Sequence, residues 1–181
     1  MNKRGSWIYW VSLSSVMLLI LAAFLYFALF KPNNNAGQEV INPISGLSID
    51  EAVNAFDESF VLYLLYSMKA NNLHNPPLSS DVPRMEIVVD GETYNAVVKN
   101  GEIIVTGGHI GGEDVVIRTT KEESVKMMQD RNYITESFRG GKSSIELVAG
   151  KTKLFSKGYL TLYNEIMGKS ITGNVVRIYV G

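Results

Sequence analysis

Three stretches of the 181-residue chain end the way a phosphate-binding loop ends: Gly141-Lys142-Ser143, Gly150-Lys151-Thr152 and Gly168-Lys169-Ser170. Such a loop cradles phosphate oxygens in a run of backbone amides. It needs a glycine five positions before the Gly-Lys pair and must lead from a strand into a helix amino terminus. The required positions hold Glu136, Ile145 and Tyr163. The first fragment also runs into a strand-like segment, and the third closes a helix instead of opening one. The fragments therefore do not amount to a nucleotide site. Their glycines read as helix stops and strand turns, and their lysines as cations suited to helix carboxyl ends.

Other chemistry is equally sparse. His74 and His109 are distant in sequence and both fall in loops; a metal would need two further ligands at a spacing the chain does not offer. There is no cysteine nucleophile, no Gly-x-Ser-x-Gly and no carboxylate pair in an apolar setting. Asp57 and Glu58 read as part of a solvated helix face. The expectation is a protein without catalysis, cofactor or metal. With no cysteine, the domain cannot lean on disulfides and its core must suffice. A net charge of −1 argues against nucleic acid.

Residues 7–30, WIYWVSLSSVMLLILAAFLYFALF, carry no charge over 24 positions. As a helix, at ~1.5 Å per residue, they are long enough to cross a ~30 Å hydrocarbon core with some tilt. A cleaved secretory signal would have a shorter apolar region and a small-residue cleavage site. A pilin-type leader cut after Gly5 would place Trp10 where such proteins carry a glutamate. Trp7, Tyr9 and Trp10 suit an aromatic belt, and Lys3, Arg4 and the amino terminus outweigh Lys31 beyond the span. The expected topology is a cytoplasmic tail at 1–6, one membrane-spanning helix at 7–30, a flexible linker at 31–46, and an extracytoplasmic soluble domain at 47–181. The linker, KPNNNAGQEVINPISG, has too few apolar residues to offset the entropy of ordering it.

Within the domain, Ser48 and Glu51 form a capping box that opens a helix of about 20 residues, ending before Asn71-Asn72. Its segment FVLYLLY, residues 60–66, is apolar on every side, which a helix tolerates only when wrapped by protein, membrane or ligand. Four runs, MEIVV, TYNAVVK, EIIVTG and DVVIRT, follow, the first three joined by Asp90-Gly91 and Asn100-Gly101 and the last reached through a glycine-rich loop. They predict a four-stranded antiparallel meander. Thr120 with Glu123 predicts a second capping box before KEESVKMMQD. NYITESF predicts another short helix, SSIELVAG a fifth strand, KTKLFSKGYLTLYNEIM one helix stopped at Gly168, and NVVRIYV a last strand.

From Met85 to Ile166 the succession is strand, Asp-Gly turn, strand, Asn-Gly turn, strand, then DVVIRTTKEESVKMM, then ESFRGGKSSIELVAGKTKLFSKGYLTLYNEI. This order of residue types resembles the sterol carrier protein family of lipid-binding domains. Phe138 and Gly141-Lys142 keep the family's spacing. NYITESF departs from its usual Asn-Pro opening and Ala-Phe pair, and residues 174–180 have no counterpart. The resemblance implies an α+β fold: an antiparallel twisted sheet of about five strands covered on one face by helices, here preceded by the membrane helix. It also implies an apolar tunnel between the layers for an acyl, isoprenoid or sterol-like chain.

The residues expected to line that tunnel are Phe56, Phe60, Tyr63, Leu64, Met127, Met128, Phe138, Phe155, Tyr159, Leu160, Tyr163 and Met167. Methionine and aromatic side chains adapt to irregular apolar shapes, and each lipid methylene buried is worth ~0.8 kcal/mol. The same residues also suit an ordinary filled core. Charge is uneven: residues 47–114 hold 3 basic and 11 acidic side chains, residues 115–181 hold 11 and 6. One expectation is that Lys142, Lys151, Lys153 and Lys157 face anionic head groups; the alternatives are two opposite solvated faces, or two halves attracting one another across the sheet. The expected partners are membrane lipid and an apolar small molecule, with no nucleotide and no nucleic acid. The leading expectation is a membrane-tethered lipid-binding domain with a part in lipid transfer or presentation. The alternative is a structural, assembly or pilin-like protein that uses the fold for protein contacts.

Overall fold

The computed structural model describes residues 15–22 and 40–168. By contacts the chain divides into two units, Met1–Asn34 and Asn35–Gly181. In the first, residues 15–22 are helical. No helix among the described residues is long and apolar enough to cross a membrane; most of the span expected at 7–30 lies outside them, as do the strand expected at 174–180 and most of the linker. The linker's last residues belong to the fold, since Ile44 is buried in the core cluster.

The second unit is α+β. Its strands are β1 (Arg84–Val89), β2 (Glu92–Lys99), β3 (Glu102–Gly107), β4 (Val115–Thr119) and β5 (Ser144–Leu147). Asp90-Gly91 and Asn100-Gly101 take positive φ at both positions, 50° and 85°, then 54° and 83°. That is the tight hairpin geometry which matches strand twist, and the expected meander holds through β3.

The fourth strand departs from it. The sheet order is β3-β2-β1-β4-β5, with β4 parallel to β1, so the sheet is mixed and not antiparallel. The reason lies in residues 108–114. Asn95 donates to the Gly108 carbonyl, His109 meets Glu86 and Arg84 donates to the Gly111 carbonyl. These partners occupy the outward positions of β2 and β1, so the glycine-rich connection is a strap across the face opposite the helices. It delivers Asp114 to the beginning of β1, where Asp114 N–H donates to the Arg84 carbonyl at 2.8 Å. From that point β4 must run alongside β1 in the same direction.

The helices are shorter than expected. The capping box of Ser48 and Glu51 is present, but it opens α1 (Ile49–Asn54), and a separate α2 (Glu58–Ser67) follows. Asp57, read as a solvated helix position, breaks the run. Its backbone is extended, and its carboxylate accepts from Ser59 N–H at 2.9 Å, a local bond that competes with helix continuation. The helices α3 (Lys121–Gln129) and α4 (Arg131–Arg139) share Asp130 as end and start. Likewise KTKLFSKGYLTLYNEIM is two helices, α5 (Lys151–Ser156) and α6 (Tyr159–Ile166). Gly158 sits between them at φ 86°, a conformation that opens the bend without a Cβ penalty.

The inward residues of the sheet, among them Met85, Ile87, Ala96, Val98, Ile103 and Ile117, meet Val61, Leu64, Leu65, Val125 and Met127 from the helices in one core. Helix α2 packs on β3 and α3, and α4 packs on α3 and α6. Leu64 is fully buried, whereas Phe155 is 73% exposed. Leu64→Ala is expected to cost about 2–5 kcal/mol and Phe155→Ala less than about 0.5 kcal/mol. Urea midpoints at constant slope measure both.

Candidate functional site

Asp114 is a fully enclosed carboxylate at the start of a polar cluster. Its Oδ2 accepts from Arg84 N–H at 2.9 Å, from Lys157 Nζ at 2.9 Å and from the Tyr159 hydroxyl at 3.2 Å. Its Oδ1 receives no well-directed hydrogen bond, yet lies 2.9 Å from Lys153 Nζ, so its charge is met by an ion pair. Its carbonyl accepts from Val148 and Ala149 N–H. Lys157 is as deeply buried as Asp114; it also donates to the Val82 carbonyl and contacts Asp81 at 3.0 Å. Burial foremost, with the Asp114 charge beside it, pushes the Tyr159 hydroxyl far above its ordinary range, so it stays a donor. The bond from Lys157 holds Asp81 below the usual carboxylate range.

This cluster corrects the expected basic face. Lys157 is enclosed and Lys153 is held by Asp114 and Asp81. Lys142 donates to the Tyr133 hydroxyl at 2.7 Å and lies 5.0 Å from that ring's centre. Of the four lysines only Lys151 stands exposed without such an engagement among the described residues.

A second buried network replaces half of the second capping box. Thr120 caps α3 through Glu123 N–H, but the Glu123 carboxylate turns inward and accepts from Ser137 and Tyr133, each at 3.0 Å. Ser137 and Ser143, 2.9 Å apart, continue the chain to Thr119 at 2.8 Å. Burial raises the Glu123 pKa. Bonds from Ser137 and Tyr133, with Lys142 and Lys126 nearby, outweigh it and leave a net lowering.

The twelve tunnel candidates separate. Phe56, Phe60, Leu64, Met127, Met128 and Phe138 meet in the core between sheet and helices, with Phe56 and Phe60 rings 5.2 Å apart. Tyr63, Leu160, Tyr163 and Met167 are half-buried. Tyr159 is buried but committed to the Asp114 cluster, and Phe155 faces away from the core. A single lining formed by all twelve is not what the fold builds.

Two adjoining clefts lie at the carboxyl end of α2. The inner one, about 130 Å³, is bounded by Met68, Ile134 and Ile166 with Lys69, Arg131 and Glu165. The outer, open one, about 460 Å³, shares Lys69 and Arg131 and adds Tyr63 and Tyr66. Neither cation was singled out from the sequence. Lys69 carried a signal, since a charged residue directly after a wholly apolar helix marks its solvent end. Asp114 was missed too, and Lys157 was read as facing head groups although it follows Leu154 by three positions, the spacing of one buried helix face. The histidines are apart, His74 beside the Asn75 carbonyl and His109 beside Glu86. Among the described residues no group of three or more His, Cys, Asp or Glu could hold a metal.

No protein-family model matches the chain, and no curated protein does. Solved structures are similar in outline. A UbiJ-SCP2 ubiquinone synthesis protein matches at 16% identity over 60% of this chain and 90% of its own, with a TM-score of 0.36. Palmitated SCP2L2 from Aedes aegypti matches at 19% identity over 57% of this chain and 94% of its own, with a TM-score of 0.34. The sec-alkylsulfatase Pisa1 from Pseudomonas sp. matches at 12% identity over 71% of this chain but 17% of the enzyme, at 0.36.

Two consequences follow from the networks. Removing one member of a buried ion pair strands the other, so Lys157→Met is expected to cost about 3–5 kcal/mol, and Asp114→Asn with Lys157→Met together less than the sum of the two singles. Denaturant midpoints of the four proteins measure this. Glu123 has a folded pKa below its ordinary 4.5. Its contribution is therefore complete above 4.5 and disappears as pH falls through the lowered folded value. Glu123→Gln is expected to be less stable than the parent at pH 7 and to lose less further stability below pH 4.5. Parallel midpoint curves would contradict this assignment.

Proposed function

We propose that the chain is a lipid-binding domain of the sterol carrier type, held at a membrane by an amino-terminal anchor over residues 7–30, lying outside the cytoplasm and performing no catalysis of its own. The supporting observation is the surplus apolar surface of α2. A helix resting on a small sheet needs one apolar stripe. Phe60, Val61, Leu64 and Leu65 supply that stripe, yet Leu62, Tyr63 and Tyr66 form a second one, packed against the core but still partly open. An acyl, isoprenoid or sterol-like chain lying along it would complete the burial of α2. Ten methylenes removed from water contribute ~8 kcal/mol, enough for micromolar binding before the costs of association. Handing such a guest to or from the adjoining bilayer is the role that the tether suggests.

Protein contacts in an assembly are the second reading, favoured by the exposure of Phe155 and Leu78. The two are separated by purifying the full chain and analysing an organic extract by mass spectrometry, then titrating the delipidated protein with a fluorescent fatty acid. The lipid reading expects a copurifying apolar molecule and saturable uptake with a micromolar or tighter Kd. A clean extract together with no uptake would overturn it.

A further inference from the structure

We propose that Lys69 and Arg131 form an oxyanion site, taking one carboxylate or phosphate group, at the mouth of the groove where the end of α2 meets α4 and α6. Both cations border the inner and the outer cleft, so they stand at the junction of the two. Beneath them the floor is apolar: Met68, Ile134 and Ile166 are 3%, 6% and 2% exposed.

One cation is only loosely paired and the other has no partner side chain among the described residues. Lys69 meets Glu165 at 3.4 Å, with both side chains well exposed, a loose contact that an incoming anion can replace. Among the described residues no hydrogen bond or ion pair engages the Arg131 side chain. Its neighbour Asp130 is occupied as the cap of α4, accepting from Asn132 N–H at 2.9 Å. Two cations and one carboxylate leave a net positive charge. Arg131 contributes a planar fork that matches the paired oxygens of a carboxylate or phosphate, and Lys69 a mobile point charge.

Lys69 is also held at φ 62°, a left-handed conformation that side-chain-bearing residues seldom adopt. The inner cleft, about 130 Å³, has room for a single oxyanion beside the two cations. Tyr63 belongs both to this groove and to the second apolar stripe of α2. The inference therefore rests on the lipid reading in one respect: the anion is the polar end of an amphiphile whose chain follows that stripe. A small soluble anion would use the same chemistry.

The test uses the full-length chain, with a fluorescent fatty acid, the corresponding fluorescent alcohol and inorganic phosphate as probes. Arg131→Gln and Lys69→Gln alter exposed side chains, and circular dichroism melts confirm that they fold. The expected result is that the acid binds about tenfold more tightly than the alcohol, that either substitution removes the preference while leaving alcohol affinity unchanged, and that phosphate competes with the acid. Equal binding of acid and alcohol by the parent would overturn the oxyanion site and leave the lipid reading standing. Phosphate binding lost in Arg131→Gln, with no uptake of either lipid, would support the site and overturn the lipid reading. Binding of no probe at all would overturn both.

Discussion

The domain is held in register by one charge placed where water does not reach. Asp114 immediately precedes β4, and its neighbours are the first residue of β1, the residues just after β5, and a lysine at the break between α5 and α6. A carboxylate with no exposed surface is tolerable only if it is both paired and hydrogen-bonded. Meeting those demands draws four distant parts of the chain to one point. Lys157 in turn can be buried only because Asp114, Asp81 and the Val82 carbonyl receive its donors. The cluster gives specificity of arrangement more than net stability, since an apolar group of equal shape would avoid the desolvation.

Much of the architecture was legible because it rests on local rules. Asp90-Gly91 and Asn100-Gly101 announce hairpins by the φ angles they alone adopt easily, and Ser48, Thr120 and Gly168 mark helix ends. What was not legible depends on contacts between distant residues. An antiparallel fourth strand satisfied every local signal; the strap at 108–114 and its Asp114–Arg84 contacts are what set β4 parallel to β1. The breaks at Asp57 and Lys157 lay inside runs whose apolar spacing reads straight through them, because periodicity records which face is apolar and not whether the axis bends. The basic half of the chain was visible as a count, but a count does not tell a solvated lysine from one enclosed with its counterion.

The segmentation of the helices has a bearing on the groove. With α2 ending at Met68, Lys69 and the 3-10 turn Ala70–Asn72 lie on the surface instead of extending the helix. With α5 and α6 angled at Gly158, α6 carries Glu165 and Ile166 to the same place. Two longer helices would have spent these residues on lateral packing. The cleft lies where the carboxyl ends of α2 and α6 meet the first turn of α4.

The strap over the outer face sets an order of assembly. The β1–β2–β3 ribbon is joined by two-residue turns and forms from neighbours in sequence, at small loop-closure cost. The β1–β4 ladder pairs residues 30 apart, Met85 with Val115, and residues 108–114 have nothing to lie across until the ribbon exists. From loop closure the ribbon is expected to form first and the Asp114 contacts to close late, as a lock on a structure already built. A lock of that kind acts on how slowly the native state comes apart and scarcely on how fast it is reached.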